Sequence, residues 1–83
     1  MYKLIIAPQA KKQLKKIPTR YQHSIRLLLK EIKDDPFLGK PLGRELIGKL
    51  SVRVGVYRII YGVNEKDKTV FIFTAGHRST VYK

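Results

Sequence analysis

Leu50-Ser51-Val52-Arg53-Val54-Gly55-Val56-Tyr57-Arg58-Ile59-Ile60-Tyr61-Gly62-Val63 is the stretch on which the fold turns. It is rich in β-branched and aromatic residues, which suit a pleated, half-buried surface. Gly55 interrupts it, as a tight hairpin or a bulge would. The reading is two antiparallel strands, Lys49 to Val54 and Val56 to Val63, around Gly55. Arg53 and Arg58 sit inside this apolar run, where an unpaired buried charge is strongly disfavoured. Either they face a wet cleft or an anion, or they lie on a solvated sheet face, paired with Glu45 or Glu65. The local pattern leaves both open. Tyr57 and Tyr61 read as core.

On the C-terminal side, Asn64 to Lys68 is a charged hairpin loop. Thr69 to Ala75 is apolar at both parities, so a central strand covered on both faces is expected. Gly76 breaks it, and His77 to Lys83 forms a tail. On the N-terminal side, Arg44 to Ile47 begins a strand with Gly48 as a break. Asp34 to Gly43 holds two prolines and two glycines and reads as an irregular loop, with Phe37 and Leu38 pinning it to the core. Before it, Tyr21, Ile25, Leu28 and Ile32 form the apolar stripe of a helix from about Pro18 to Lys33. Arg20, Arg26, Lys30 and Lys33 fall mostly off that stripe, and His23 reads as a surface residue. Ala10, Leu14 and Ile17 give a shorter helix from Pro8 to Ile17, with Lys11, Lys12, Lys15 and Lys16 largely opposite. The short link at Pro18 makes the two an antiparallel hairpin. Tyr2 to Ala7 is a short strand stopped by Pro8. Residues 1–83 therefore read as one α+β domain. An N-terminal strand precedes a helical hairpin, which packs on a three- to four-stranded antiparallel sheet.

Eighteen Lys plus Arg against six Asp plus Glu give a formal charge of +12. Such an excess costs stability by self-repulsion and points to a polyanion or a very acidic protein as partner. The absence of cysteine removes disulfides, thiolate metal sites and thiol nucleophiles, and fits a reducing compartment. No apolar run approaches ~18 residues and no signal-peptide h-region opens the chain, so a soluble cytoplasmic protein without membrane contact is expected.

Two histidines without a carboxylate cluster make a zinc or magnesium site unpromising. No glycine-rich loop opens a helix, so no nucleotide cofactor is expected. The remaining chemistry lies in Lys49, Arg53, Arg58, His77, Arg78 and Tyr82. If the last strand pairs beside the Arg58 strand, then Arg58, Arg78 and Tyr82 line one concave patch. Guanidinium forks match phosphate oxygens bidentately, and an aromatic ring stacks on an unpaired base. The Lys11, Lys12, Lys15, Lys16 cluster is either a solvated face or a contact for RNA phosphates or an acidic helix.

The chain resembles the RelE/ParE superfamily of toxins from bacterial and archaeal toxin–antitoxin systems. The resemblance rests on Leu50-Ser51-Val52-Arg53-Val54-Gly55-Val56-Tyr57-Arg58-Ile59-Ile60-Tyr61 and Gly76-His77-Arg78-Ser79-Thr80-Val81-Tyr82. Ala10, Leu14, Ile17, Pro18 and the Pro36–Gly43 loop also match the family layout. It implies the RelE-like microbial ribonuclease fold and an mRNA interferase cutting mRNA in the ribosomal A site. It also implies a small, acidic, RelB-like antitoxin as partner. By position, Arg58, Arg78 and Tyr82 are the implied catalytic residues, and Lys49 falls where ribosome-dependent members carry a basic residue. Ser51 stands where many members have a further Lys or Arg, and Arg53 is the cation available to replace it.

The RNA 2′-hydroxyl is then the nucleophile, with guanidinium groups, Arg58 first, stabilising the phosphoryl oxygens. The resemblance suggests Tyr82 as general base. Ionising a phenol of pKa about 10 at pH 7 costs roughly 4 kcal/mol. A cation about 4 Å away offsets up to roughly that amount at an effective dielectric near 20. Arg78 is the implied general acid. His77, with an ordinary pKa near 6.5, is the chemically easier alternative. The competing readings are a ParE-like toxin poisoning DNA gyrase and a non-catalytic RNA-binding domain.

Overall fold

The computed structural model describes residues 2–43 and 48–77. Strand β1 (Lys3–Ile6) leads into helix α1 (Pro8–Lys16) and helix α2 (Thr19–Asp34). A 3-10 turn (Pro36–Leu38) and a two-residue strand β2 (Lys40–Pro41) follow. Strands β3 (Lys49–Val54), β4 (Tyr57–Asn64) and β5 (Thr69–His77) complete the described chain. This is the α+β plan expected from the sequence. The strand expected at Arg44 to Ile47 lies outside the described residues. No helix among the described residues is long and apolar enough to cross a membrane.

Proline sets the helix boundaries. Pro8 stands in the first turn of α1, where its missing N–H costs nothing. Pro18 precedes α2 as its N-cap. Between the helices, Gln22 Nε2 donates to the carbonyls of Leu14 (2.7 Å) and Ile17 (2.9 Å). One side chain thus ties down two carbonyls at the end of α1, that of Leu14 also accepting from the Ile17 N–H.

The sheet has five strands in the order β1-β5-β4-β3-β2. β2 through β5 pair antiparallel, while β1 joins parallel to β5 with Leu4 opposite Val70. A parallel partner needs a long crossover, and the helices supply it. Between β3 and β4 the loop is Gly55-Val56, with Gly55 at φ +59°. That first loop position favours glycine in tight hairpins, and a Cβ there would also meet the Tyr21 ring at 3.1 Å. β5 continues past Ala75 to His77. Gly76 does not break it, because its backbone pairs opposite Arg58.

The register shifts between Ile60 and Tyr61: Ile60 stands opposite Thr74 but Tyr61 opposite Ile72, leaving Phe73 as an extra residue on β5. This bulge inverts the alternation. Before it Val70 and Ile72 face the helices; after it Ala75 does. The core joins them to Ala10, Ile17, Ile25, Ile32, Val52, Ile59 and Tyr61.

Two expectations fail. β5 is central but covered on one face only: Phe71 and Phe73 are each 38% exposed on the other. The bulge explains only why Ala75 joins Val70 and Ile72 on the helix side; Phe71 and Phe73 are apolar residues left on the other face. Nor do Phe37 and Leu38 pin the loop, since both are exposed. Pro36 is buried instead. Tyr61 Oη donates to the Pro36 carbonyl (2.6 Å) and accepts from the Gly39 N–H (3.0 Å). A Cβ on Gly39 would collide with that hydroxyl.

Burial pushes the Tyr61 phenol above its ordinary 10.0, the nearby Asp35 adding to the effect and the Gly39 hydrogen bond opposing it. The native state therefore keeps this proton where the unfolded chain releases it. Its contribution is whole below pH ~10 and is lost as pH rises further. Tyr61→Phe strands the Gly39 N–H and should cost about 1–3 kcal/mol in urea denaturation near neutral pH. The same variant should show a shallower loss of stability above pH ~10 than the wild type.

Candidate nucleic-acid interface

Hairpin geometry brings the first two functional side chains together. The two-residue loop fixes Arg53 directly opposite Arg58. Their strands alternate so that Leu50, Val52 and Val54 face the helices, while Lys49, Ser51 and Arg53 face the open side. Arg53 is exposed; Arg58 is half-buried, with its Nε inaccessible to solvent. Directly opposed like charges destabilise a sheet. A phosphate between them reverses the sign of that interaction. A cleft of about 410 Å³ lies at this point, lined by Lys40, Ser51, Arg53 and Arg58 and, toward the helices, by Leu28, Leu38 and Val52. It opens where β2, paired only with Ser51 and Leu50, leaves the rest of β3 as an edge.

Lys49 sits four residues before Arg53 on the same side of β3. Its Nζ is 4.8 Å from the Phe73 ring centroid. Ser51, nearly buried, stands between Lys49 and Arg53 and supplies a short polar side chain where a third cation would otherwise be.

His77 is placed elsewhere. It pairs opposite Tyr57, and its ring meets the Tyr57 ring edge-on at 6.1 Å. Tyr57 in turn contacts Tyr21 at 5.3 Å, with the Arg20 guanidinium 5.1 Å from the Tyr21 centroid. That chain of rings lies on the helix side, whereas Arg58 projects from the other face. The structure does not bring His77 to Arg58. It also keeps Lys11, Lys12, Lys15 and Lys16 away: all four are exposed on α1, which packs against the helix side of β5. Arg78 and Tyr82 lie outside the described residues. Among the described residues no three His, Cys, Asp or Glu side chains gather as a metal site would require.

The sequence reading missed Lys40, because nothing local marks Lys40–Pro41 as a strand. It missed the open-face position of Phe71 and Phe73, although their two-residue spacing is a strand signal. It also missed Gln13, whose Oε1 accepts from the Ala75 N–H and the Thr74 hydroxyl (both 2.9 Å). That contact covers the edge of β5 where β1 has ended.

Residues 4–82 match the family described as ParE toxin of type II toxin–antitoxin systems. The chain belongs to the RelE/ParE superfamily of toxins. Toxin RelG of Mycobacterium tuberculosis is 32% identical over 84 residues, covering 99% of this chain and 97% of that protein. Toxin RelE of the same organism is 29% identical over 84 residues, covering 99% and 87%. Among solved structures, the RelBE2 toxin–antitoxin complex from M. tuberculosis superposes with a TM-score of 0.83 at 33% identity, covering 93% of this chain and 98% of that one. Isolated E. coli RelE superposes with a TM-score of 0.81, at 24% identity and 99% and 92% coverage, a likeness of fold. RelE/ParE membership thus agrees with the topology and with the arginine-bearing hairpin.

Arg53→Gln removes one of two facing positive charges. Thermal or urea unfolding at low ionic strength should show a gain of roughly 0.2–1 kcal/mol, shrinking toward zero near 1 M salt. The same variant should reduce the salt slope of single-stranded RNA binding by about 0.7.

Proposed function

We infer that this toxin is an endoribonuclease that cuts mRNA in the ribosomal A site and so halts translation. The observation that carries the reading is the Arg53–Arg58 pair facing one another at a cleft of about 410 Å³. A +12 chain with this cleft suits a scissile phosphodiester. Similarity to RelG and RelE toxins supports the same reading.

The chemistry needs no group beyond the RNA and the chain. The 2′-oxygen attacks the adjacent phosphorus, and its proton passes to the Tyr82 phenolate. The phosphorus–O5′ bond breaks, and O5′ takes a proton from Arg78. The products are a 2′,3′-cyclic phosphate and a 5′-hydroxyl. Arg58, with Arg53 opposite it, stabilises the charge on the phosphoryl oxygens. The family resemblance gives the acid role to Arg78; His77, whose ring packs on Tyr57, is the alternative. Lys49 holds a neighbouring phosphate. The solved relatives with RelB and YefM partners support a cognate acidic antitoxin. Action in the cytoplasm, where ribosomes are, follows from the same reading.

A second reading is ParE-like inhibition of DNA gyrase without cleavage, favoured by the family matched over residues 4–82. Purified toxin on programmed ribosomes separates the two. Cut mRNA bearing 2′,3′-cyclic phosphate ends is expected; trapped gyrase–DNA complexes with intact mRNA would establish the second reading instead. Arg58→Ala should lower the single-turnover cleavage rate on the order of 10²–10³-fold. Arg78→Ala and Tyr82→Phe should likewise relieve growth arrest on expression. His77→Gln should cost far less than Arg58→Ala, and an equal loss would return His77 to the acid role.

A further inference from the structure

Phosphate chemistry leaves one feature of the open face unused. Phe71 and Phe73 are each 38% exposed in the interior of the sheet, not at an edge. Their ring centroids are 6.5 Å apart and their planes 21° from parallel. Phe73 lies across Gly62, where a Cβ would come within 2.8 Å of its Cε2. The Lys49 ammonium stands over the same ring. Lys49, Gly62 and Phe71 are register partners across three adjacent strands. A groove of about 340 Å³ runs beside them. The Lys49 row lies four residues along β3 from the Arg53–Arg58 row, about 13 Å at ordinary strand rise.

We propose that Phe71 and Phe73, with Lys49, form a stacking shelf for unpaired nucleobases of the RNA strand whose phosphate Arg53 and Arg58 hold. This rests on the reading of the guanidinium cleft as an RNA site. Phenyl rings carry no hydrogen-bonding group and cannot select a base by its edge. They offer a flat π surface on which any base stacks. Aromatic side chains on an open sheet, beside cations that take the phosphates, are a general solution for single-stranded RNA. The two rings lie near-parallel to one another, with Phe73 close against Gly62. Lys49 reaches both the ring and a phosphate alongside it. An acidic protein segment is the rival occupant. The Lys49 ammonium over the Phe73 ring and the arginine pair farther along the same face of β3 favour nucleic acid.

The probe is an all-2′-deoxy oligonucleotide of about ten nucleotides, within the span of such sites, with 2-aminopurine at each position in turn. It lacks the 2′-hydroxyl and is not cut. Wild-type toxin should quench the fluorescence at one or two adjacent positions. Phe73→Leu and Phe71→Leu keep an apolar side chain of similar size on an exposed site. Each should weaken binding on the order of tenfold and remove the quenching, with the salt slope unchanged. Gly62→Ala, which displaces the Phe73 ring, should reduce quenching as well. Binding without quenching at any position, no binding, or Leu variants that bind as tightly as wild type would overturn the shelf. The Leu variants binding as wild type while losing affinity for an acidic protein would also overturn it and assign the surface to that rival. Because the probe is uncleavable, a toxin that cuts no mRNA leaves the stacking result standing, and a failed shelf leaves the cleavage result standing.

Discussion

Where β4 and β5 pair, β5 carries one residue more than its neighbour, and that residue is Phe73. Uninterrupted alternation would put Phe71, Phe73, Ala75 and His77 on one face. The extra residue sends Ala75 and His77 to the helix side and sets Gly76 opposite Arg58. Small Ala75 then sits in the core with Ala10 of α1. On the other face, the β5 neighbour of Arg58 in the ladder, Gly76, has no side chain. Bulges re-aim side chains in this way near functional surfaces.

The bulge divides the labour between the two faces. The helix side takes nearly all the aliphatic bulk and the buried Tyr61. The open side takes Lys49, Arg53, Arg58 and the two exposed phenylalanines. Most of the core is thereby kept on the side away from the arginine pair, in a chain whose excess of cations strains a thin core. Tyr61 links this arrangement to the cleft. Its hydroxyl holds the Pro36–Gly39 turn, and that turn leads into Lys40, which lines the cleft with Arg58.

What was legible in the sequence was local. The stripe of Tyr21, Ile25, Leu28 and Ile32, and the prolines at helix starts, are written within one turn of the chain. The Arg53–Arg58 pairing was within reach for the same reason, since a loop of two residues fixes the register around Gly55. Long-range partners were not. The parallel seat of β1 and the two-residue β2 depend on contacts that no periodicity encodes. The side on which His77 falls depends on an unmatched residue several positions earlier, and β-propensity cannot reveal that. Phe37 and Leu38 misled because the loop is held by hydrogen bonds to a tyrosine, not by apolar burial. Arg78 and Tyr82 took their roles from the family resemblance alone.

The strand order β1-β5-β4 places the first strand of the chain beside the last one described, with Lys3 opposite Thr69. During synthesis, β1 emerges early and its ladder partner emerges late. A nascent chain truncated before Thr69 has a hairpin of β3 and β4 and a helical pair, but β1 then lacks its ladder partner. Closure of the five-stranded sheet, with β1 seated on β5, therefore waits until β5 has been made.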